Sequence, residues 1–238
     1  MRYMGSKAKL AKHILPIMLA ERGDKVWIEP FVGGANMIQY VEGKRIGCDI
    51  NPWVIACLDA ASNGWIPKDF YNEDEYRVAR DKYKAGDTVN AHETGWIGFA
   101  CSFGGKFFGG YVRNSSDPRT IVESCSTQQY RAALKQFPLL HGVKFICADY
   151  TQVIPTTRQT LIYCDPPYRD TTKYKVGDFN HGNFYQWCCD RTDDGHTVFV
   201  SEYWVDHPRF QLVFEKPQKS AVRRADGVVN TERLYKVR

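Results

Sequence analysis

Between residues 25 and 60 the chain alternates twice between a short apolar run and a stretch of helical character. Lys25-Val-Trp-Ile-Glu-Pro-Phe31 reads as a strand, closes on Gly33-Gly34, and is followed by a helical stretch from Ala35. Lys44-Arg-Ile-Gly-Cys-Asp49 reads as a second strand, and Pro52 stands where proline opens a helix at its first turn. Strands and helices alternating at this spacing predict βαβ units and therefore a parallel sheet. Upstream, Ser6 is placed to cap a helix over Lys7–Ala20, with Pro16 as a site for a kink.

The pattern breaks after about Ala60. Helical segments are expected at Asn72–Lys84, Thr94–Ser102 and Thr127–Phe137, around a glycine-aromatic loop from Phe103 to Asn114. Strand signals return at Val143–Ala148, Thr160–Cys164, Thr197–Ser201, Phe210–Glu215 and Arg233–Val237. The economical organisation is one α/β domain from residues 1–60 and 140–238, interrupted by a mainly helical insertion at 61–139. A length of 238 residues suits such a domain, and an aromatic content of 14% excludes a disordered chain. No apolar run approaches the roughly 20 residues of a membrane span, and the first residues lack the apolar stretch of a secretory signal.

The eight cysteines form no C-x-x-C and no zinc-type spacing with histidine, so no metal site is expected. Cys147 and Cys164 lie in strand-like runs where a thiol is a small core residue, and Cys188-Cys189 read as neighbours facing different ways on a helix. Free thiols imply a reducing compartment. The formal charge of +5 permits a polyanionic partner without requiring one.

The strongest chemical signal is Leu161-Ile-Tyr-Cys-Asp165-Pro166-Pro167-Tyr168, an apolar strand running into an acid, two prolines and an aromatic. Ligands of open α/β sheets bind beyond the carboxyl ends of strands, which is where Asp165 falls. Prolines stiffen the turn and present carbonyl oxygens. Asp165 and the Pro166 carbonyl are thus placed to accept two hydrogen bonds from one planar NH₂ group, with Tyr168 stacked on its ring. Taken alone, an Asp-Pro turn is also ordinary strand-ending punctuation. Ile28 to Asn36 gives a strand, a glycine pair and a helix start, so a backbone turn can pass close to a ligand, although the G-x-G-x-x-G fingerprint is absent. Asp49 ends the second strand, where an acid typically holds ribose hydroxyls, and Asp149 ends the next; surface turn residues are the plain alternative for both.

Gly5-Ser6-Lys7, Glu29-Pro-Phe-Val-Gly-Gly-Ala-Asn36, Asp49 and Asp165-Pro-Pro-Tyr168 occur in the order seen in Dam-type (D12 class) adenine-specific DNA methyltransferases, bacteriophage members included. The sequence resembles that family across its sheet-forming parts and less across the insertion. The resemblance implies a class I S-adenosylmethionine-dependent methyltransferase fold, Rossmann-like, with the insertion as a target-recognition domain. It implies S-adenosylmethionine as cofactor, double-stranded DNA as partner and transfer of methyl to N6 of a flipped-out adenine. Carried over, Tyr3 and Lys7 lie beside the methionine end of the cofactor, Glu29, Phe31, Gly33 and Gly34 beneath it, Asp49 at its ribose and Asp149 near its adenine. Asp165, Pro166, Pro167 and Tyr168 hold the target base. Departures are Tyr3 where tryptophan is frequent and Ala35-Asn36 where many methyltransferases have another glycine.

In the insertion, Lys106, Tyr111, Arg113 and Arg119 are the expected DNA-binding residues, since arginine reads guanine bidentately and either cation neutralises phosphate. Phe107, Phe108 or Tyr111 is expected to wedge into the vacated base stack, unless these aromatics form the insertion's own core, as expected of Phe103 or Phe107. Lys216, Lys219, Arg223 and Arg224 either track phosphates or form a solvated surface. The resemblance further implies a cytoplasmic protein, at the bacterial nucleoid or in a phage-infected host, acting as a monomer or weak dimer without an obligatory protein partner. Its role stays open between restriction protection, replication marking and phage defence. The competing readings are an RNA base N-methyltransferase and a DNA-binding module without chemistry; a glutamine methyltransferase is disfavoured by Asp165, and a nicotinamide dehydrogenase by the missing glycine fingerprint.

Overall fold

A computed structural model describes residues 1–113, 125–155, 159–168, 179–217 and 231–238. Helix α1 (Ala8–Leu19) is followed by β1 (Val26–Glu29), β2 (Arg45–Asp49) and α2 (Pro52–Ser62). The insertion contributes α3 (Glu73–Ala85), α4 (Ala91–Ala100) and α5 (Cys125–Gln136). The chain then forms β3 (Val143–Cys147), β4 (Thr160–Cys164), α6 (His181–Asp193), β5 (Thr197–Glu202), β6 (Phe210–Pro217) and β7 (Thr231–Val237).

The strands make one seven-stranded sheet in the order β3-β2-β1-β4-β5-β7-β6. All pairings are parallel except those of β7, which runs antiparallel between β5 and β6. Strand β1 is flanked by β2 on one side and β4 on the other, so the winding reverses there and opens a crevice at the carboxyl ends of these strands.

Alternation along the strands sorts the core into two layers. Trp27, Leu161, Tyr163, Phe199 and Leu234 point to the face shared with α1, α2 and the insertion, whereas Ile162, Cys164, Val198 and Val200 face α6. Helix α1 buries Leu10, Ala11, Ile14, Leu15 and Met18, a stripe at helical spacing. Among the described residues the insertion has no separate core: Tyr71, Tyr76, Trp96, Phe99 and Phe137 belong to the same buried cluster as Trp27 and Ile14. Helix α4 lies so close to α2 that a Cβ on Gly95 would come within 2.1 Å of the Trp53 carbonyl oxygen.

Several sequence expectations need correction. The stretch after Ala35 is not an α-helix but one 3-10 turn, Ile38–Tyr40, because Gly33 (φ +47°) and Ala35 (φ +56°) both leave the helical region. Ala35 thus takes up the left-handed backbone that glycine favours. Ser6 is not the cap of α1: Lys7 occupies that position, and its carbonyl accepts from Leu10 and Ala11. Pro16 lies within α1 without ending it. Cys147 is exposed rather than core, because it is the last residue of the edge strand β3. Cys164, Cys188 and Cys189 are buried, and all eight thiols are free. Pro52 does open α2, capped by Asn51, which accepts from the amides of Trp53 and Val54. Among the described residues no helix is long and apolar enough to cross a membrane.

Candidate active site at the carboxyl ends of the central strands

Strand β1 delivers Glu29 to the crevice and then turns through Pro30–Asn36. The turn is fastened to β2 by Asp49, whose carboxylate accepts from the Gly33 amide (3.0 Å) and the Asn51 amide (2.9 Å). Burial pushes the Asp49 carboxyl up to about 6, against the pull of these amides. The space beside the glycines is already filled by the chain's own first residues. A Cβ on Gly33 would stand 2.9 Å from the Tyr3 ring, and one on Gly34 2.8 Å from Tyr3 Cβ. Tyr3 in turn packs on Phe99 of α4 with ring centroids 5.0 Å apart. The glycine pair is therefore required by Tyr3, a cause that the sequence reading had assigned to a ligand.

Strand β4 runs directly into Asp165, and α1 begins at Lys7 opposite it. Lys7 Nζ lies 3.2 Å from Asp165 Oδ1 and 3.8 Å from Glu232 Oε2, donates to the Gly5 carbonyl at 3.1 Å, and sits 4.4 Å above the Tyr168 ring. The Tyr168 hydroxyl donates to Glu232 Oε2 at 2.9 Å, and its ring meets Tyr203 edge-on at 4.5 Å. Asp165 Oδ1 is buried and, among the described residues, makes no hydrogen bond of good geometry beyond its ion pair with Lys7. Burial raises the Asp165 carboxyl above the ordinary carboxylate range, and the Lys7 ammonium opposes that shift. Behind them, Glu29 is 3% exposed and accepts from Trp27 Nε1 at 2.9 Å. Burial pushes its carboxyl up to about 8, so it is protonated at neutral pH.

Phe31 stands in an aromatic group with Tyr150, Phe179 and Phe184, at centroid distances of 5.5, 5.8 and 5.6 Å. Asp149 caps a 3-10 turn, accepting from the amide and hydroxyl of Thr151 at 2.9 and 2.5 Å. Pro166 is buried between Asp165 and Pro167. The structure thus gathers Lys7, Glu29, Asp165 and Tyr168 at one place, with Asp49, Gly33, Gly34 and Tyr3 at the neighbouring strand end.

The sequence reading missed Glu232 and Tyr203. Glu232 carries a usable signal: it lies two residues before Leu234 on a strand, so an acid occupies an inward position.

In the insertion, Arg113 forms an exposed two-point pair with Glu73, Nε to Oε2 at 3.0 Å and Nη2 to Oε1 at 2.7 Å. Lys106 is exposed. Tyr111 donates to the Tyr71 carbonyl at 2.8 Å and packs on Tyr76. Phe107 and Phe108 pack on Phe99 and Tyr83. Of Phe103 and Phe107, one or other expected inside, Phe107 packs against the core and Phe103 is 75% exposed. Arg119, Lys219, Arg223 and Arg224 lie outside the described residues, while Lys216 meets His13 at 2.8 Å.

The strand order, with an antiparallel seventh strand inserted beside β5, and the acids at the ends of β1, β2 and β4 define a class I methyltransferase fold. The chain belongs to the D12 class N6 adenine-specific DNA methyltransferase family, which it matches over residues 3–187. It is 26% identical over 216 residues to the Type II methyltransferase M.FokI of Planomicrobium okeanokoites, covering 79% of this chain and 31% of that protein. It is 26% identical over 222 residues to the Type II methyltransferase M.MjaIII of Methanocaldococcus jannaschii, covering 76% of this chain and 74% of that one. The chain therefore spans about a third of the first relative and about three quarters of the second. Among solved structures, the rRNA methyltransferase aviRa from Streptomyces viridochromogenes shares 10% identity at a TM-score of 0.42, over 99% of this chain and 86% of its own.

Proposed function

We propose that this protein transfers a methyl group from S-adenosylmethionine to N6 of an adenine turned out of duplex DNA. The observation that carries the reading is Asp165: a carboxylate at the sheet's switch point, ion-paired to a buried lysine and with acceptor capacity left on a buried oxygen. The family supports the same assignment.

The residues present fit the cofactor. Asp49 offers a carboxylate at a strand end for ribose hydroxyls, Lys7 a cation for a carboxylate, and Phe31 an apolar wall. Tyr3, Glu29, Gly33 and Gly34 shape the turn between them, and Asp149 stands at the next strand end for an adenine amino group. When bound, the cofactor supplies an electrophilic methyl on a sulfonium.

The exocyclic amine of adenine is a weak nucleophile because its lone pair is delocalised into the ring. Asp165 and the Pro166 carbonyl accept hydrogen bonds from its two N–H groups, which lets the nitrogen move toward sp³ and frees the lone pair; one of these protons is released to solvent once the nitrogen is methylated. Pro166 and Pro167 keep these acceptors in one plane, and Tyr168 stacks on the purine. The Lys7 ammonium opposes the upward pull of burial on the Asp165 carboxyl and so favours the carboxylate that stabilises charge growing on nitrogen. Chemistry on a base requires its removal from the stack, at a cost of about a few kcal/mol. The insertion serves as target reader, with Arg113 and Arg119 toward bases and Lys106 toward phosphate. Because Phe107, Phe108 and Tyr111 are packed, the exposed Phe103 takes the wedge role.

The test is incubation of the protein with methyl-labelled cofactor and either duplex DNA or structured RNA. Label on DNA adenine alone supports the proposal. Label on RNA, or none, points respectively to the RNA enzyme or to a binding module without chemistry.

A further inference from the structure

Glu232 lies on β7, well beyond the residues that the family matches. It is 5% exposed, and a carboxylate so buried persists only with partners. Two of its partners belong to the proposed site. Oε2 accepts from the Tyr168 hydroxyl at 2.9 Å and lies 3.8 Å from Lys7 Nζ, which is itself 3.2 Å from Asp165. One ammonium thus serves two carboxylates and lies over the Tyr168 ring. Antiparallel β7 brings Glu232 to the same crevice as Asp165, at the end of parallel β4.

We propose that Glu232 is a positioning residue of the transfer reaction: it anchors the Tyr168 phenol beside the target base and divides the Lys7 charge with Asp165, so that the two carboxylates ionise as a unit. The inference rests on the methyl-transfer reading above. Two acids sharing one cation titrate in coupled steps. Burial and Asp165 hold the Glu232 carboxyl above its ordinary range, while Lys7 pulls it down. The other titratable groups facing the pair are Glu29 on β1, Tyr163 on β4, Tyr168 and Tyr203.

The experiment follows the Asp165 carboxyl carbon by NMR across pH in the full chain, in the wild type and in Glu232→Gln. The glutamine keeps the shape and an acceptor for Tyr168 but removes the charge. Two inflections in the wild type and one in the variant are expected; identical curves overturn the proposal. In parallel, Glu232→Ala is expected to lower kcat about 10-fold or more while affinity for S-adenosylhomocysteine changes less than about 3-fold, the pattern of a lost orientation. An unchanged kcat overturns the proposal, as does a loss of affinity equal to the loss of kcat. If the wild-type protein methylates no DNA, the methyl-transfer reading fails, and the titration still decides whether Glu232 and Asp165 are coupled.

Discussion

The strand-end crevice and the glycine-aromatic loop of the insertion both bring charged and aromatic residues together, but in opposite ways. In the crevice the ions are largely withdrawn from water: Asp165 and Glu232 share the buried ammonium of Lys7, beside the buried, neutral carboxyl of Glu29. In the loop Phe107, Phe108 and Tyr111 are partly buried, Phe103 is exposed, and the charges are exposed, with Arg113 held by Glu73 at the surface. Buried charge is costly and is retained where it shifts pKa values for chemistry. An exposed ion pair is screened by water and contributes little, so Arg113 can leave Glu73 for a base or phosphate at little cost. One region is built to hold a fixed charge pattern, the other to exchange partners.

The sharpest way to break this contrast is Asp165→Ala. Turnover is expected to fall by a factor on the order of 10³ or more, while S-adenosylhomocysteine affinity measured by calorimetry weakens only a few-fold. A variant with near-normal turnover would remove Asp165 from the chemistry. Next in size is the pH dependence set by Glu29. Its folded carboxyl, at about 8, lies above its unfolded value of 4.5, so its contribution to stability is complete below 4.5 and lost as pH rises through about 8. The slope is about 1.4 kcal/mol per pH unit within that window. Denaturant unfolding between pH 5 and 9 should show the slope flattened in Glu29→Gln; equal slopes would contradict the burial argument.

The insertion predicts smaller effects. Arg113→Ala should cost about 1–3 kcal/mol of discrimination between target sequences, read from competition assays, with cofactor affinity untouched. Unchanged site choice would place the reader elsewhere. Phe103→Ala should weaken base extrusion by roughly 1–3 kcal/mol, seen as reduced 2-aminopurine fluorescence at the target position. An unaltered signal would return the wedge to another residue.

Much of the crevice was legible in the sequence because its residues follow strands directly. An acid after an apolar run falls at a strand's carboxyl end by topology alone, which located Asp49 and Asp165. Lys7 was placed by resemblance, and its contact with Asp165 depends on how α1 packs across the sheet, which spacing does not encode. Glu232 escaped notice because it lies just before the strand expected from Arg233, between the polar Thr231 and Arg233; on β7, between β5 and β6, it packs inward against Lys7 and Tyr168. The turn after Gly34 was misread because Ala35 is a good helix former, while its backbone is fixed by Tyr3 and by the hydrogen bond to Asp49 nearby. In the loop, composition could not tell which aromatic is exposed, since that depends on which side chains reach Tyr83 and Phe99.

The most direct measurement is single-molecule sequencing of the genome of a host expressing this chain, compared with one expressing Asp165→Ala. The account predicts N6-methyladenine at every copy of one short sequence in the first genome and at none in the second. Identical modification in both, or methyl groups absent from adenine in the first, would contradict it.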